Sequence, residues 1–158
     1  MSKKLQILLD EYGESHQNET NKLIHWICVP LIFWSIIALF YSIPTSFLVG
    51  IFDESFFSNW VVIVMIPVLI YYFYLSIPIA LGMFFFIGSS LFISDFVLHN
   101  SSYPLWVIAL CVFILAWIGQ FYGHKVEGKK PSFLKDIQFL LIGPAWLMSF
   151  IFKGFRGK

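Results

Sequence analysis

Gln120, His124 and Glu127 fall at i, i+4 and i+7 inside Trp117-Ile-Gly-Gln-Phe-Tyr-Gly-His-Lys-Val-Glu-Gly-Lys-Lys-Pro131, so a helix carries them on one face. The stretch begins as the tail of an apolar run and turns polar within one helical turn. Imidazole binds transition metals and moves protons near neutral pH, so this face is a candidate reaction site. Gln120 and Glu127 are each open to three roles: ligating an ion, hydrogen-bonding a ligand, or lining a polar helix end. Near the other end of the chain stand His16, Asn21 and His25. His16 and His25 would be about half a turn out of phase on one straight helix. Between them runs the polar hinge Ser15-His-Gln-Asn-Glu-Thr-Asn21, which lets the chain fold back so that both rings meet. Asn21 precedes His25 by four, where it can orient an imidazole or simply cap a helix.

The surrounding chain has to position these groups in a membrane. Charged residues make up 12% of the 158 positions, against about a quarter in soluble domains, too few to build a water-facing surface. Lys3 to Glu14 places Leu5, Leu8, Leu9 and Tyr12 at i, i+3, i+4 and i+7, a short amphipathic helix that lies on the membrane surface or against the core, with Gly13 loosening its end. The apolar patch after Lys3-Lys4 meets Asp10 and Glu11 too soon for a signal-peptide core, and no cleavable signal is expected. From Leu23 to about Val49 the chain is almost wholly apolar, long enough to cross about 30 Å of hydrocarbon. Residues 60 to 98 carry one charge, Asp95, and divide into two spans with a turn at Ser76-Ile-Pro78; residues 104 to 123 make a fourth. Gly119 and Gly123 read as close-packing positions in a membrane helix. Residues 137 to 152 are apolar but interrupted by Gly143-Pro144, and are expected to re-enter or lie at the interface, with a fifth span as the alternative.

Positive charge sets the orientation. All ten Lys and Arg lie in residues 3–22 or 125–158, which puts both ends on the cytoplasmic side and requires an even number of crossings. The expected fold is therefore all-α: a polytopic membrane helical bundle with four spans, an N-terminal amphipathic helix and a C-terminal re-entrant or fifth hydrophobic helix, forming one domain over residues 1–158. The same topology sorts the four histidines. His16, His25 and His124 share the cytoplasmic face, whereas His99 lies a bilayer thickness away. A single interfacial histidine is as readily a hydrogen-bonded polar tip; three converging from separate elements favour a shared ion. Cys28 and Cys111 both sit in apolar runs and give neither a disulfide framework nor a CxxC site. A net charge of +1 gives no reason to expect nucleic acid.

No HExxH motif, Ser-His-Asp order or phosphate-cradling glycine loop is present. Taken together, Tyr12-x3-His16-x4-Asn21-x3-His25-x4-Pro30 and Gln120-x2-Gly123-His124-x2-Glu127-x3-Pro131 resemble the paired signatures of the family typified by the yeast 2-hydroxy fatty acid dioxygenase, small multi-spanning membrane proteins long catalogued as a domain of unknown function. The segment Trp26-Ile-Cys28 departs from the glycine usual after the second histidine. The resemblance implies an iron(II)-dependent dioxygenase of fatty-acid α-oxidation, converting long-chain 2-hydroxy acids to acids one carbon shorter plus CO₂. It implies His16, His25 and His124 as iron ligands, with Asn21, Gln120 and Glu127 supporting them in the catalytic site.

Three neutral imidazoles suit iron(II) and leave coordination positions for both reactants. The implied partners are a long-chain 2-hydroxy fatty acid, dioxygen and membrane lipids, with the oligomeric state left open. Lys125, Lys129 and Lys130 can attract the substrate carboxylate, though contact with anionic headgroups is the favoured reading. The expected location is a multi-pass position in a bacterial inner membrane, or the endoplasmic reticulum in a eukaryote, with the site at the cytoplasmic face. Two other readings compete: a zinc-dependent membrane lipid hydrolase using the same histidines, and a non-catalytic lipid-binding protein.

Overall fold

The computed structural model describes residues 3–55, 57–128 and 133–156, with side chains in the last segment from Leu141 to Phe152. Among these residues the chain is all-helical, with no strand. Seven helices follow in order: α1 (Lys3–Glu14), α2 (Glu19–Tyr41), α3 (Ser46–Phe52), α4 (Trp60–Leu75), α5 (Ile77–Asn100), α6 (Leu105–Glu127) and α7 (Phe133–Arg156). By length and composition α2, α5 and α6 are able to cross a membrane, while α4 and residues 141–152 are shorter apolar helices. Three of the four expected spans fall on α2, α5 and α6; the segment expected as the other forms α4, 16 residues long, about 24 Å at the helical rise.

The first apolar run does not stay helical to Val49. α2 starts at Glu19, four residues before the run, because the Asn18 side chain accepts hydrogen bonds from the amides of Thr20 and Asn21 at 2.9 and 3.3 Å, the action of an N-cap. It stops at Tyr41, before Ser42 and Pro44, and the short α3 follows. Proline cannot donate to the preceding turn and disfavours helix just before it, which outweighs continuous apolarity here. The break inside 60–98 falls at Ser76, whose backbone is extended, and Pro78 sits in the first turn of α5 where its missing N–H costs nothing. At its other end α6 runs past residue 123 to Glu127 and closes on Gly128 in the left-handed region, φ 75°, where glycine carries no Cβ penalty. Pro131, a residue type that ends helices, lies outside the described residues, as do Lys129 and Lys130.

The most extensive helix pair is α2 with α6. Small residues let the backbones approach: a Cβ on Gly119 would stand 2.7 Å from Cys28 Sγ, and one on Gly123 would collide with Asn21 Oδ1. This is the close packing that membrane helices use when apolar burial gives no advantage over lipid. Cys28 and Cys111 are free thiols, Cys28 buried and Cys111 exposed.

α1 uses its apolar stripe against the protein rather than a surface, burying Leu5, Leu9 and Tyr12 and packing on α7. α7 passes through Gly143-Pro144 as one helix, without the interruption those residues suggest. Ile142, Ala145, Trp146 and Leu147 are buried within the core cluster. The Tyr72 hydroxyl, on α4, donates to the Leu141 carbonyl at 2.5 Å, satisfying two polar groups that would otherwise be costly away from water. The lone acid of the apolar middle, Asp95, accepts from the Tyr41 hydroxyl at 3.0 Å and lies 3.4 Å from His99 Nδ1. Outward faces carry large apolar side chains, among them Phe84, Phe85 and Phe92 on α5 and Leu115 and Ile118 on α6, as a lipid-facing surface requires.

Candidate metal centre

Three chain segments meet at one point near the start of α2. His16 lies in the turn between α1 and α2, His25 on the second turn of α2, and His124 near the end of α6. One ring nitrogen from each lies within 4.8 Å of the other two. Ring centroids stand 4.2 Å apart for His16 and His25, 5.1 Å for His25 and His124, and 5.6 Å for His16 and His124. The first two rings are buried, at 2% and 0% exposure, and His124 is half-buried. His99 is not part of this group; its Nδ1 bonds the Asp95 carbonyl one turn back, at 2.8 Å.

The backbone sets the tautomers. His16 Nδ1 lies 2.6 Å from the Tyr12 carbonyl oxygen and His25 Nδ1 2.9 Å from that of Asn21. A carbonyl only accepts, so in each case Nδ1 carries the proton and the neutral ring presents its lone pair at Nε2. His25 Nε2 is buried and has no hydrogen-bond partner in the protein. An orphaned buried acceptor costs about 1–3 kcal/mol, and an ion shared by the three rings would satisfy it. Two of the three imidazoles, His16 and His25, have their tautomers fixed from behind, as metal-binding histidines do.

Aromatic walls enclose the cluster on the α1 and α7 side. Tyr12 stacks on His16 with centroids 4.2 Å apart and planes 13° from parallel. Trp146 leans on the same imidazole at 5.4 Å. Gly143 permits that approach of α7, because a Cβ there would stand 3.1 Å from the Tyr12 hydroxyl. An open cleft of about 310 Å³ reaches His16 between α1 and α7, lined by Leu9, Glu14, Lys22, Trp146 and Phe150 among others. Trp146 was not singled out from the sequence. Its only signal there is one indole on an apolar helix, more than a hundred residues from the histidine it touches.

The other expected site residues are placed as follows. The Gln120 side chain is a polar neighbour of the His25 ring, outside the geometry of a formed hydrogen bond. Asn21 is fully buried, and its Nδ2 donates to the Ser15 carbonyl at 3.2 Å and to Glu127 Oε2 at 3.0 Å. The helix cap is Asn18 rather than Asn21. Glu127 does not join the imidazoles: its oxygens accept from the amides of Gln17 and Asn18 at 2.9 and 3.0 Å. Those amides have no side-chain signature, so no reading of residue types could assign them a partner.

A model of the family described as 2-hydroxy-palmitic acid dioxygenase Mpo1-like matches residues 2–155. No curated protein and no solved structure matches the chain. The match covers nearly every residue, and the chain belongs to that family.

Proposed function

From that membership we propose that the chain is an iron(II)-dependent membrane dioxygenase that converts long-chain 2-hydroxy fatty acids to acids one carbon shorter. The observation that carries the metal is the convergence of His16, His25 and His124 from three separate segments, with the unpartnered Nε2 of His25 among them. The overall change balances with no further reductant: RCH(OH)COOH plus O₂ gives RCOOH, CO₂ and H₂O. Iron(II) held by the three rings would supply the Lewis acidity and the redox chemistry that dioxygen needs. The carbonyls of Tyr12 and Asn21 hold two of those rings in the ligating tautomer. Tyr12 and Trp146 pack on the His16 ring, which is 2% exposed, and Gln120 is a polar side chain beside the His25 ring. Lys22, ion-paired with Glu19 at 2.8 Å, is the cation on the cleft that reaches His16, and Asp10 and Glu14 line the same cleft.

The rest of the proposal concerns the setting. The chain forms one membrane-embedded domain, with α2, α4, α5 and α6 crossing and the histidines at the cytoplasmic face. With Cys28 and Cys111 replaced by alanine, thiol reagents applied from outside should label Ser55→Cys and leave Ser132→Cys unlabelled until the membrane is opened. Labelling of both from one side would rule out the four crossings.

The activity is tested with detergent-purified protein loaded anaerobically with iron(II). Oxygen uptake should follow 2-hydroxypalmitate and yield a C15 acid and CO₂ by mass spectrometry, with no requirement for 2-oxoglutarate. A hydroxyl and a carboxylate on adjacent carbons form a five-membered chelate; 3-hydroxy and unsubstituted C16 acids lack that arrangement and should not be consumed. Each methylene buried against apolar walls adds about 0.8 kcal/mol, so lactate should be a poor substrate. Equal turnover of the three C16 acids, or hydrolysis with bound zinc and no oxygen uptake, would overturn the reading.

A further inference from the structure

The geometry points to Glu127 as the positioning residue that holds the three histidine-bearing segments in register without itself ligating an ion. This rests on the metal-centre reading above and deepens it. His16 is not fixed by a helix of its own; it sits in the short turn between Glu14 and Glu19. Glu127 Oε1 accepts the Gln17 amide at 2.9 Å, and Oε2 accepts the Asn18 amide and Asn21 Nδ2, both at 3.0 Å.

Each of these contacts touches a neighbour of one histidine. Gln17 follows His16 directly. Asn21 precedes His25 by one turn and gives its carbonyl to that ring. Glu127 itself lies one turn beyond His124 on α6. A single carboxylate therefore ties the turn, the start of α2 and the end of α6 across more than a hundred residues of sequence. Its charge sits at the N-terminus of α2, where the helix dipole favours an anion, and charge-assisted bonds of this kind are stronger than neutral ones. Both oxygens are engaged with the turn, and the carboxylate is outside the group of nitrogens that lie within 4.8 Å of one another.

Glu127→Gln and Glu127→Ala separate positioning from ligation. Gln keeps the size and one accepting oxygen but turns an NH₂ toward a backbone N–H. Cobalt(II) alone is the probe, titrated into apo-protein in detergent. Both variants should bind it more weakly, by roughly the 10–100-fold typical of lost outer partners of metal ligands, with the visible bands of bound cobalt unchanged. Amide exchange at Gln17 and Asn18 should accelerate in the apo-protein. Unchanged affinity with unchanged exchange would overturn the proposal, as would altered cobalt bands, which would make Glu127 a ligand. If Glu127→Ala does not fold, the isosteric Gln variant decides alone. Wild-type protein that binds no cobalt would overturn the metal-centre reading and, with it, this role for Glu127; faster exchange in the Gln variant would then show only a structural tie.

Discussion

His25→Ala should abolish tight metal binding and reduce turnover to background, while the helical bundle still inserts and folds. His25 is fully buried, and its Nε2 has no partner in the protein. A four-ligand structural zinc site is worth about 10–16 kcal/mol, so one ligand of such a set carries roughly 3 kcal/mol or more, a loss of about a hundredfold or more in affinity. With three protein ligands in the proposed centre, the remaining pair should not retain iron through purification. The fold should survive because the two effects of the substitution oppose each other. A cavity appears where the ring was, which costs stability, but an unsatisfied buried nitrogen goes with it, and that nitrogen was itself unfavourable. His99→Ala is the control. That residue is exposed and bonded within its own helix to Asp95, so metal content and turnover should match the wild type. Metal analysis and oxygen uptake on both variants measure this, and an equal loss from His99→Ala would mean that the wrong histidines had been grouped.

The sequence made the histidine grouping legible through two separate patterns. Lysine and arginine are absent between Leu23 and His124, which sorts ends from middle, and the polar hinge between His16 and His25 marks a reversal rather than a continuous helix. Gly119 and Gly123 also read correctly as close-approach positions, since their spacing repeats every turn on the face that meets α2. The end of α2 was less legible, because Ile43, Phe47 and Leu48 continue the apolar run beyond a turn whose only marks are Ser42 and Pro44. Several residues of the hinge can cap a helix, and the one that does, Asn18, sits where its own amide meets Glu127, a contact made by the far end of the chain. The role of Glu127 was hidden for the same reason: its partners are mostly backbone groups. Gly143-Pro144 marks an interruption of the apolar stretch but not of the helix, because a proline removes one helical hydrogen bond and α7 packs on α1, α2 and α5 across it.

Gly123→Ala should lower turnover about a hundredfold, although it adds a single methyl group. A Cβ at this position collides with Asn21 Oδ1 and comes to 3.4 Å from Ile24 Cγ2. A flexible side chain would move aside at little cost, but Asn21 is not free to do so. It is fully buried, and its amide is tethered to the Ser15 carbonyl and to Glu127. Either α2 and α6 separate at the level of His25 and His124, or Asn21 swings away and releases Glu127. Inserting a methyl group into such a contact costs about 1–3 kcal/mol, which lowers stability without unfolding the bundle. The larger effect is on geometry, because a displacement of about 1 Å at a reacting centre can cost roughly a hundredfold in rate. Metal affinity should fall with turnover, since both depend on His25 and His124 staying in reach of one ion. Gly88→Ala separates this from a general effect of losing a glycine in a membrane helix. A Cβ at Gly88 on α5 meets nothing within 4 Å, so that variant should bind cobalt(II) and consume oxygen as the wild type does. Cobalt titration and oxygen uptake compare the two directly. Full affinity and full turnover in Gly123→Ala would mean that the close approach of α2 and α6 does not position the histidines.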